Sequence, residues 1–186
     1  MKDIYIEFKN SAIKGDVRDA IHGANSPTGA NSKSTIEVDS WAHTIRQPKS
    51  ATASTAGGHT AERCEHGEMI FVKDIDSASP KIWQAASQGL VTPEVVITFY
   101  RANGQGTTIA PGTTNGRVAY LVITLKNVLI SSVSPAVDSE GVPKETFGLK
   151  YSAVKWEYKA TKLDGSAAGG AVLGAWNLAT NTSNFA

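Results

Sequence analysis

The sequence predicts a mainly β domain of about eight strands with one short helix, arranged as a β-barrel or a two-sheet sandwich. Two observations support this prediction. Several short segments are rich in β-branched and aromatic residues, and in most of them apolar and polar residues alternate. Stretches rich in Gly, Asn, Ser and Thr separate these segments and are typical of turns and loops. Since the chain has 186 residues, we expect one domain that spans residues 1–186.

The clearest strand patterns are spread over most of the chain. They lie at residues 4–8, 36–45, 69–73, 95–100, 118–125, 126–133 and 146–158. In the second of these segments, Ile36, Val38, Ser40 and Ala42 alternate along one face, which changes from apolar to small. Because the alternation is continuous, we expect this segment to form a single strand.

The last strand segment contains a change of phase. Phe147, Leu149 and Tyr151 form one alternating set, and a second set that includes Val154 is out of phase with it by one residue. A single flat strand cannot place both sets on one face. We therefore expect either a β-bulge near Ser152–Ala153 or two separate buried faces.

One helix is predicted between the strand segments. Ser79 is a suitable N-cap residue, and Pro80 follows it at the first helical position. Ile82 and neighbouring apolar residues recur at helical spacing. Gly89 is placed to end the helix in the left-handed conformation.

Composition excludes several classes of partner. Lys and Arg number 18 and Asp and Glu number 17, so the formal net charge is +1 at pH 7. Proteins that bind nucleic acid or an anionic membrane ordinarily carry a basic excess, so we expect neither partner. Charged residues near the N-terminus interrupt any signal-peptide pattern, and no segment approaches the ~20 apolar residues of a membrane span. We expect synthesis in the cytoplasm, no membrane anchor, and any secretion to proceed without a cleaved signal peptide.

Possible metal ligands cluster in one part of the chain. His59, Cys64 and His66 lie close in sequence, but the second ligand pair of a structural zinc site is absent. This favours an ordinary polar loop with Cys64 as a half-buried thiol, and the single cysteine excludes an intrachain disulfide. No nucleophile–base pair and no phosphate-binding glycine motif is evident. We therefore expect no enzyme activity, no catalytic residue, no metal and no cofactor.

Four segments, in order along nearly the whole chain, carry a resemblance to a known family. They are residues 16–22 with 36–41, residues 71–80, residues 120–134, and residues 145–158 with 164–165 and 174–178. The sequence resembles the haemolysin-coregulated proteins (Hcp), which are the tube subunits of the bacterial type VI secretion system. The stretch from Tyr120 to Ser134 and the pair Trp176-Asn177 are the most specific parts of the resemblance.

The resemblance implies both a fold and a function. The fold is a β-barrel-like pair of antiparallel sheets with one short flanking α-helix. The function is that of a structural subunit whose homohexameric rings stack into a secreted inner tube, with effectors carried in the lumen. The implied partners are other copies of the chain, the contractile sheath, the spike protein at the tube tip and small effector cargo.

The resemblance also assigns roles to two parts of the surface. The segment from Arg46 to Cys64 contains a long stretch without core-forming residues, and in the family a loop at this position contacts the adjacent ring. The ring-stacking loop is assigned to Arg46, Gln47, Pro48, Lys49, Ser50, Ala51, Thr52, Ala53, Ser54 and Thr55. The small side chains of Ser40 and Ala42 are candidates for the lumen wall, where cargo would sit or slide.

A second function remains open from the residues alone. A monomeric β-sandwich that binds a ligand or carbohydrate would have the same strand pattern and the same lack of catalytic groups. Four tryptophans could line a sugar site, although aromatic side chains in strands more often belong to the core. Because a ring needs complementary patches on one subunit, oligomeric state distinguishes the two functions.

Overall fold

The computed structural model describes residues 3–17, 35–48, 63–102, 117–137, 139, 141–160 and 168–185. These residues form eleven strands and one helix. The strands are β1 (Ile4–Lys9), β2 (Ile36–Val38), β3 (Ser40–Ala42), β4 (Ile45–Arg46), β5 (Glu65–His66), β6 (Met69–Asp74), β7 (Val91–Ala102), β8 (Arg117–Val137), β9 (Pro143–Lys150), β10 (Ala153–Tyr158) and β11 (Val172–Asn177), and the helix is α1 (Ser79–Gln88). The predicted fold class is confirmed, because the chain is mainly β with antiparallel pairing and one helix.

The main sheet curves back on itself. Seven strands follow the order β2-β1-β7-β8-β9-β6-β3, while β10 and β11 extend from β8, and β4 and β5 form a separate pair. The two ends of the seven-strand path, β2 and β3, are joined directly through Asp39. The backbone N–H of Asp39 donates to the carbonyl of Val72 at 2.7 Å, which continues the contact with β6. The sheet is therefore closed like a barrel by one continuous segment.

This closure corrects the prediction of a single strand over residues 36–45. Ile36 and Val38 in β2 are buried, whereas Ser40 and Ala42 in β3 are exposed. Trp41 instead packs against the core, with its ring 5.2 Å from that of Phe99. The residues that face the core therefore change from Ile36 and Val38 in β2 to Trp41 in β3. This change occurs because β2 pairs with β1 whereas β3 pairs with β6.

The predicted β-bulge near Ser152–Ala153 is wrong. Lys150 faces Leu129 and Ala153 faces Lys126. Between these two pairs, the β9–β10 segment and the facing part of β8 each advance by three residues. An equal advance means that no extra residue is inserted at the junction of β9 and β10.

The irregularity lies in β8, the strand that faces this junction. The register between β8 and β9 shifts between Ile130 and Ser132. Asn127 has a positive φ of 48°, and its side-chain amide donates to the hydroxyl of Ser152 at 2.9 Å. Tyr151 and Ser152 separate β9 from β10. The alternation of buried residues in β9 is out of phase with that in β10.

The helix packs its apolar face against the barrel. Ile82 and Ala85 are buried, and Gly89 ends the helix in the left-handed conformation with φ 61°, as predicted. The predicted N-cap is wrong, because Ala78 occupies that position without a side-chain cap and Ser79 is the first helical residue. In the described part of the chain, no helix is long and apolar enough to cross a membrane.

Ser79 does not cap the helix because its hydroxyl belongs to a buried polar network. Lys73 and Glu145 are cross-strand partners in β6 and β9, both side chains are fully buried, and their Nζ and Oε1 atoms are 2.9 Å apart. The ammonium of Lys73 also contacts the Asp76 carboxylate at 2.6 Å. The Ser79 hydroxyl donates to Glu145 at 2.8 Å, and the Trp83 indole N–H donates to the other carboxylate oxygen. This network joins α1 to two strands of the barrel.

We predict that Lys73→Met destabilises the subunit by about 3–5 kcal/mol, because it leaves the Glu145 carboxylate buried without its cation. Denaturant-induced unfolding at equal protein concentration measures this change in the free energy of unfolding. Lys144→Met is the matched control, since Lys144 is the residue before Glu145 and pairs with Asp39 at the surface. We expect this control to cost at most about 1 kcal/mol. Equal losses in the two variants would contradict the role of the buried pair.

Candidate functional site

The predicted ring-stacking loop leaves the barrel at the pair formed by β4 and β5. Ile45 faces His66 and Arg46 faces Glu65 in this short antiparallel pair. A backbone hydrogen bond from the Gly67 N–H to the Thr44 carbonyl, 2.9 Å long, lies next to it. We call these two strands with residues 43–44 and 67 the loop base.

The structure describes only part of the predicted stacking loop. Arg46 and Gln47 are exposed, and Pro48 is half-buried. The remaining predicted residues, Lys49 to Thr55, lie outside the described residues.

Two histidines and one tyrosine connect the loop base to the barrel. The Tyr151 hydroxyl lies 2.8 Å from Nδ1 of His66 and 2.9 Å from Nε2 of His43. The two imidazole rings meet edge to face, with their centroids 5.7 Å apart. Tyr151 is buried at the junction of β9 and β10, whereas both histidines belong to the loop base. We call this arrangement the His–Tyr–His bridge.

Burial shifts the pKa of all three groups in the His–Tyr–His bridge. It lowers the pKa of His43 below the ordinary value of 6.5, and the proximity of His66 lowers it further, while a hydrogen bond with the Gly67 backbone opposes these effects. Burial also lowers the pKa of His66. The pKa of Tyr151 is raised by burial and by the nearby Cys64 thiol. At neutral pH the bridge therefore consists of two neutral imidazoles and one neutral hydroxyl.

A pocket of about 420 Å³ lies beside the loop base. It is lined by Ile45, Gln47, Cys64, His66, Trp156, Ala175, Trp176 and Asn181. Cys64 is half-buried, as predicted from the sequence. The described residues contain no group of three or more His, Cys, Asp or Glu side chains that could hold a metal ion, and His59 lies outside them.

The two lumen candidates occupy one exposed surface of β3. Ser40 and Ala42 are both exposed, and Trp41 between them points to the core. Their side chains therefore share the outward face of a short strand at the point where the barrel closes. The sequence pattern placed Ser40 and Ala42 on the same face as Ile36 and Val38, and it did not predict that the core lies on the Trp41 side of β3.

An exposed apolar edge lies on β11, near the C-terminus of the chain. Val172 and Leu173 in β11 are 69% and 63% exposed, and Tyr158, the cross-strand partner of Val172, is also exposed. Within the described residues, β10 is the only strand that pairs with β11, and an isolated bridge between Asn177 and Thr182 lies at the C-terminal end of β11. Sequence analysis missed this edge, because two adjacent apolar residues in a Gly-rich tail resemble ordinary core residues until their exposure is known.

Comparison with known proteins identifies the family. The sequence model of the family described as "Type VI secretion system effector, Hcp" matches residues 5–158. The chain belongs to the Hcp family. Protein hcp1 of Pseudomonas aeruginosa is 34% identical over 115 residues, which are 61% of this chain and 65% of that protein. The chain thus spans somewhat less than two thirds of the curated relative that it matches.

Solved structures share the fold over nearly the whole chain. A structure described as a type six secretion system protein has a TM-score of 0.78 at 24% identity and covers 99% of this chain and 100% of its own. Hcp1 from Salmonella typhimurium has a TM-score of 0.69 at 23% identity with the same coverage. These two likenesses establish the fold over the tail beyond residue 158 as well.

Family membership confirms the resemblance found in the sequence. Hcp proteins are structural, secreted components of the type VI secretion system that assemble into rings in its tube. They are not a known enzyme family, which agrees with the lack of a catalytic arrangement in the sequence.

Proposed function

We propose that this chain is a subunit of a type VI secretion inner tube, in which six copies form a ring and the rings stack. Membership of the Hcp family supports the tube role. The observation that supports assembly is the exposed apolar edge of β11, a strand that lies off the closed seven-strand path. The proposed partners are other copies of the chain, the contractile sheath, the tube-tip spike protein and small effectors in the lumen. We also propose that secretion proceeds without a cleaved signal peptide.

The β11 edge has the properties of one half of a contact within a ring. Adjacent residues of a strand point to opposite faces, so exposure of both Val172 and Leu173 leaves apolar surface on both sides of β11. An unpaired strand edge also offers backbone N–H and C=O groups to a neighbouring chain. Ring closure requires heterologous contacts, in which this edge meets a different surface of the next copy. The low charged fraction of the sequence, 19%, is consistent with a large area of subunit contact.

We predict that Val172→Lys combined with Leu173→Lys abolishes ring formation but leaves the subunit folded, because charges at a buried contact carry a desolvation cost. Light scattering after gel filtration gives the mass, and circular dichroism checks the fold. The matched control is Leu90→Lys with Val91→Lys, another exposed Leu–Val pair, at the junction of α1 and β7. Rings are expected in the wild type and in the control. A monomeric wild type at high concentration would contradict the proposed function and favour a monomeric binding module.

The position of the loop base supports the proposed stacking role of the loop. β4 and β5 bring the two ends of the segment together, so residues 47–64 leave and re-enter the subunit at one place. We predict that deletion of Lys49–Gly58 leaves single rings intact and shortens or abolishes stacks in negative-stain images. Loss of folding on deletion would mean that the loop belongs to the core and would contradict the assignment.

The lumen role of Ser40 and Ala42 rests on their exposure and small size. A wall of small side chains lets cargo sit or slide without large apolar contacts. In a Cys64→Ser background, we predict that an Ala42→Cys variant labelled with a gold cluster still forms rings and shows the gold inside the ring opening. Gold at the outer rim would exclude a lumen position. Failure of the labelled subunits to form rings would show that this face lies in a contact between subunits.

A further inference from the structure

We propose that the His–Tyr–His bridge is an acid-sensitive latch, which holds the loop base against the barrel at neutral pH and releases it on mild acidification. The latch itself is a property of the subunit and depends only on described residues. Its consequence for ring stacking rests on the proposed function, because the loop base carries the segment assigned to stacking.

The geometry requires a specific distribution of protons. A tyrosine hydroxyl has one proton to donate, and a neutral imidazole has one N–H and one acceptor nitrogen. One arrangement satisfies every contact: His43 donates from Nδ1 to the Gly67 backbone and accepts at Nε2 from the Tyr151 hydroxyl, while His66 donates from Nδ1 to the Tyr151 oxygen. With both rings neutral, all of these contacts are made without a buried charge.

Protonation of either histidine disturbs this arrangement. A proton added at Nε2 of His43 places two donors, the N–H and the Tyr151 O–H, face to face, so the hydroxyl must turn away. A proton added to His66 leaves its bond to Tyr151 in place but puts a charge in a partly buried site. Protonation of both creates two cations whose ring centroids are 5.7 Å apart. Exposure of the rings to water relieves each of these costs, and that exposure is the release of the loop base.

The direction of the pH dependence follows from the pKa shifts. Both histidines have a pKa below 6.5 in the closed state and would return towards 6.5 when released into water. The closed state therefore binds fewer protons than the released state, so its stability is complete above pH 6.5 and falls as the pH drops below that value. Burial raises the pKa of Tyr151, so its hydroxyl stays protonated as the pH rises above neutrality.

The other groups near the two rings do not reverse this dependence. Among the described residues, the titratable groups that face the rings are the two histidines themselves, Tyr151, and Cys64 in the adjacent pocket. Two pairs of opposite charge lie nearby along the chain. They are Arg46 opposite Glu65 within the loop base and Lys150 with Glu68, whose Nζ and Oε1 atoms are 3.6 Å apart. Histidine is the side chain whose charge ordinarily changes between about pH 5 and 8.

Hydrogen exchange measured by mass spectrometry tests the latch on the full chain. Wild-type protein is compared at about pH 7.5 and about pH 5.5, with exchange corrected for the intrinsic effect of pH. We expect protection of peptides from residues 43–47 and 63–68 to fall severalfold at the lower pH, because a released histidine with a pKa near 6.5 is largely protonated there and the buried histidine is less so. Peptides from β6 and β9 serve as the internal reference, and their protection should remain constant.

Variants separate the latch from a general effect of acid. His43→Gln with His66→Asn places amide groups near the Nε2 and Nδ1 positions, so hydrogen bonds to Tyr151 are possible without titration. We expect this double variant to stay protected at both pH values. Tyr151→Phe should lose protection at both, while Tyr158→Phe, at an exposed tyrosine, should behave as wild type. The single variant His66→Asn replaces the double variant if the latter does not fold, and it should show a reduced response.

Each outcome bears on one proposal. A wild-type loop base with equal protection at both pH values, or a double variant that responds as strongly as wild type, overturns the latch. Negative-stain images and light scattering of the same samples report rings and stacks separately. A monomeric protein whose loop base still responds to acid would contradict the tube function and leave the latch standing. If rings stack equally at both pH values although the loop bases are released, the latch stands and its proposed effect on stacking is wrong.

Discussion

The buried ion pair between Lys73 and Glu145 determines how the helix and the barrel fit together. A cation and a carboxylate without solvent contact are tolerated only when their remaining hydrogen-bonding capacity is satisfied. Asp76, Ser79 and Trp83 supply that capacity, and all three lie in or just before α1. The pair therefore fixes two things at once: the register of β6 against β9, and the position of the helix over them.

Closure of the barrel depends on a different feature, the single residue between β2 and β3. Asp39 joins β2 to β3, and its carboxylate accepts from Lys144 at 3.0 Å. Lys144 precedes Glu145 in β9, so the closing segment and the buried pair share one strand. Because the segment changes pairing partners at Asp39, Trp41 turns into the core and its two small neighbours, Ser40 and Ala42, face outward. The exposed surface of β3 is thus a direct result of how the barrel closes.

The sequence predicted the elements better than it predicted the contacts between them. Local signals were sufficient for most of the strands, for Pro80 in the first turn of α1 and for Gly89 at its end, because each depends on backbone preferences of a few residues. They were not sufficient for residues 36–45, where the change of pairing partner is a tertiary feature. Ser79 was misassigned as a cap because its real partner, Glu145, lies 66 residues away in sequence. The His–Tyr–His bridge was invisible for the same reason, since His43 and Tyr151 are separated by 108 residues. In the sequence, His66 is a possible metal ligand close to Cys64, and no local pattern connects it with the end of β9.

Closure also explains why the proposed contact edge and the proposed latch lie at different places on the subunit. A barrel removes the free edges of its sheet, so self-association cannot use the strands that form the closed path. β11 lies off that path and keeps an open edge with exposed apolar residues. The loop base also lies off that path, in a separate two-stranded sheet. Apart from its junction with β3 and β6, it is held by hydrogen bonds of the His–Tyr–His bridge and by contacts of His66 with Trp156 rather than by a continuous ladder. A connection of this kind can open without disturbing the buried core, which is the physical requirement for a loop that responds to pH while the ring wall stays intact.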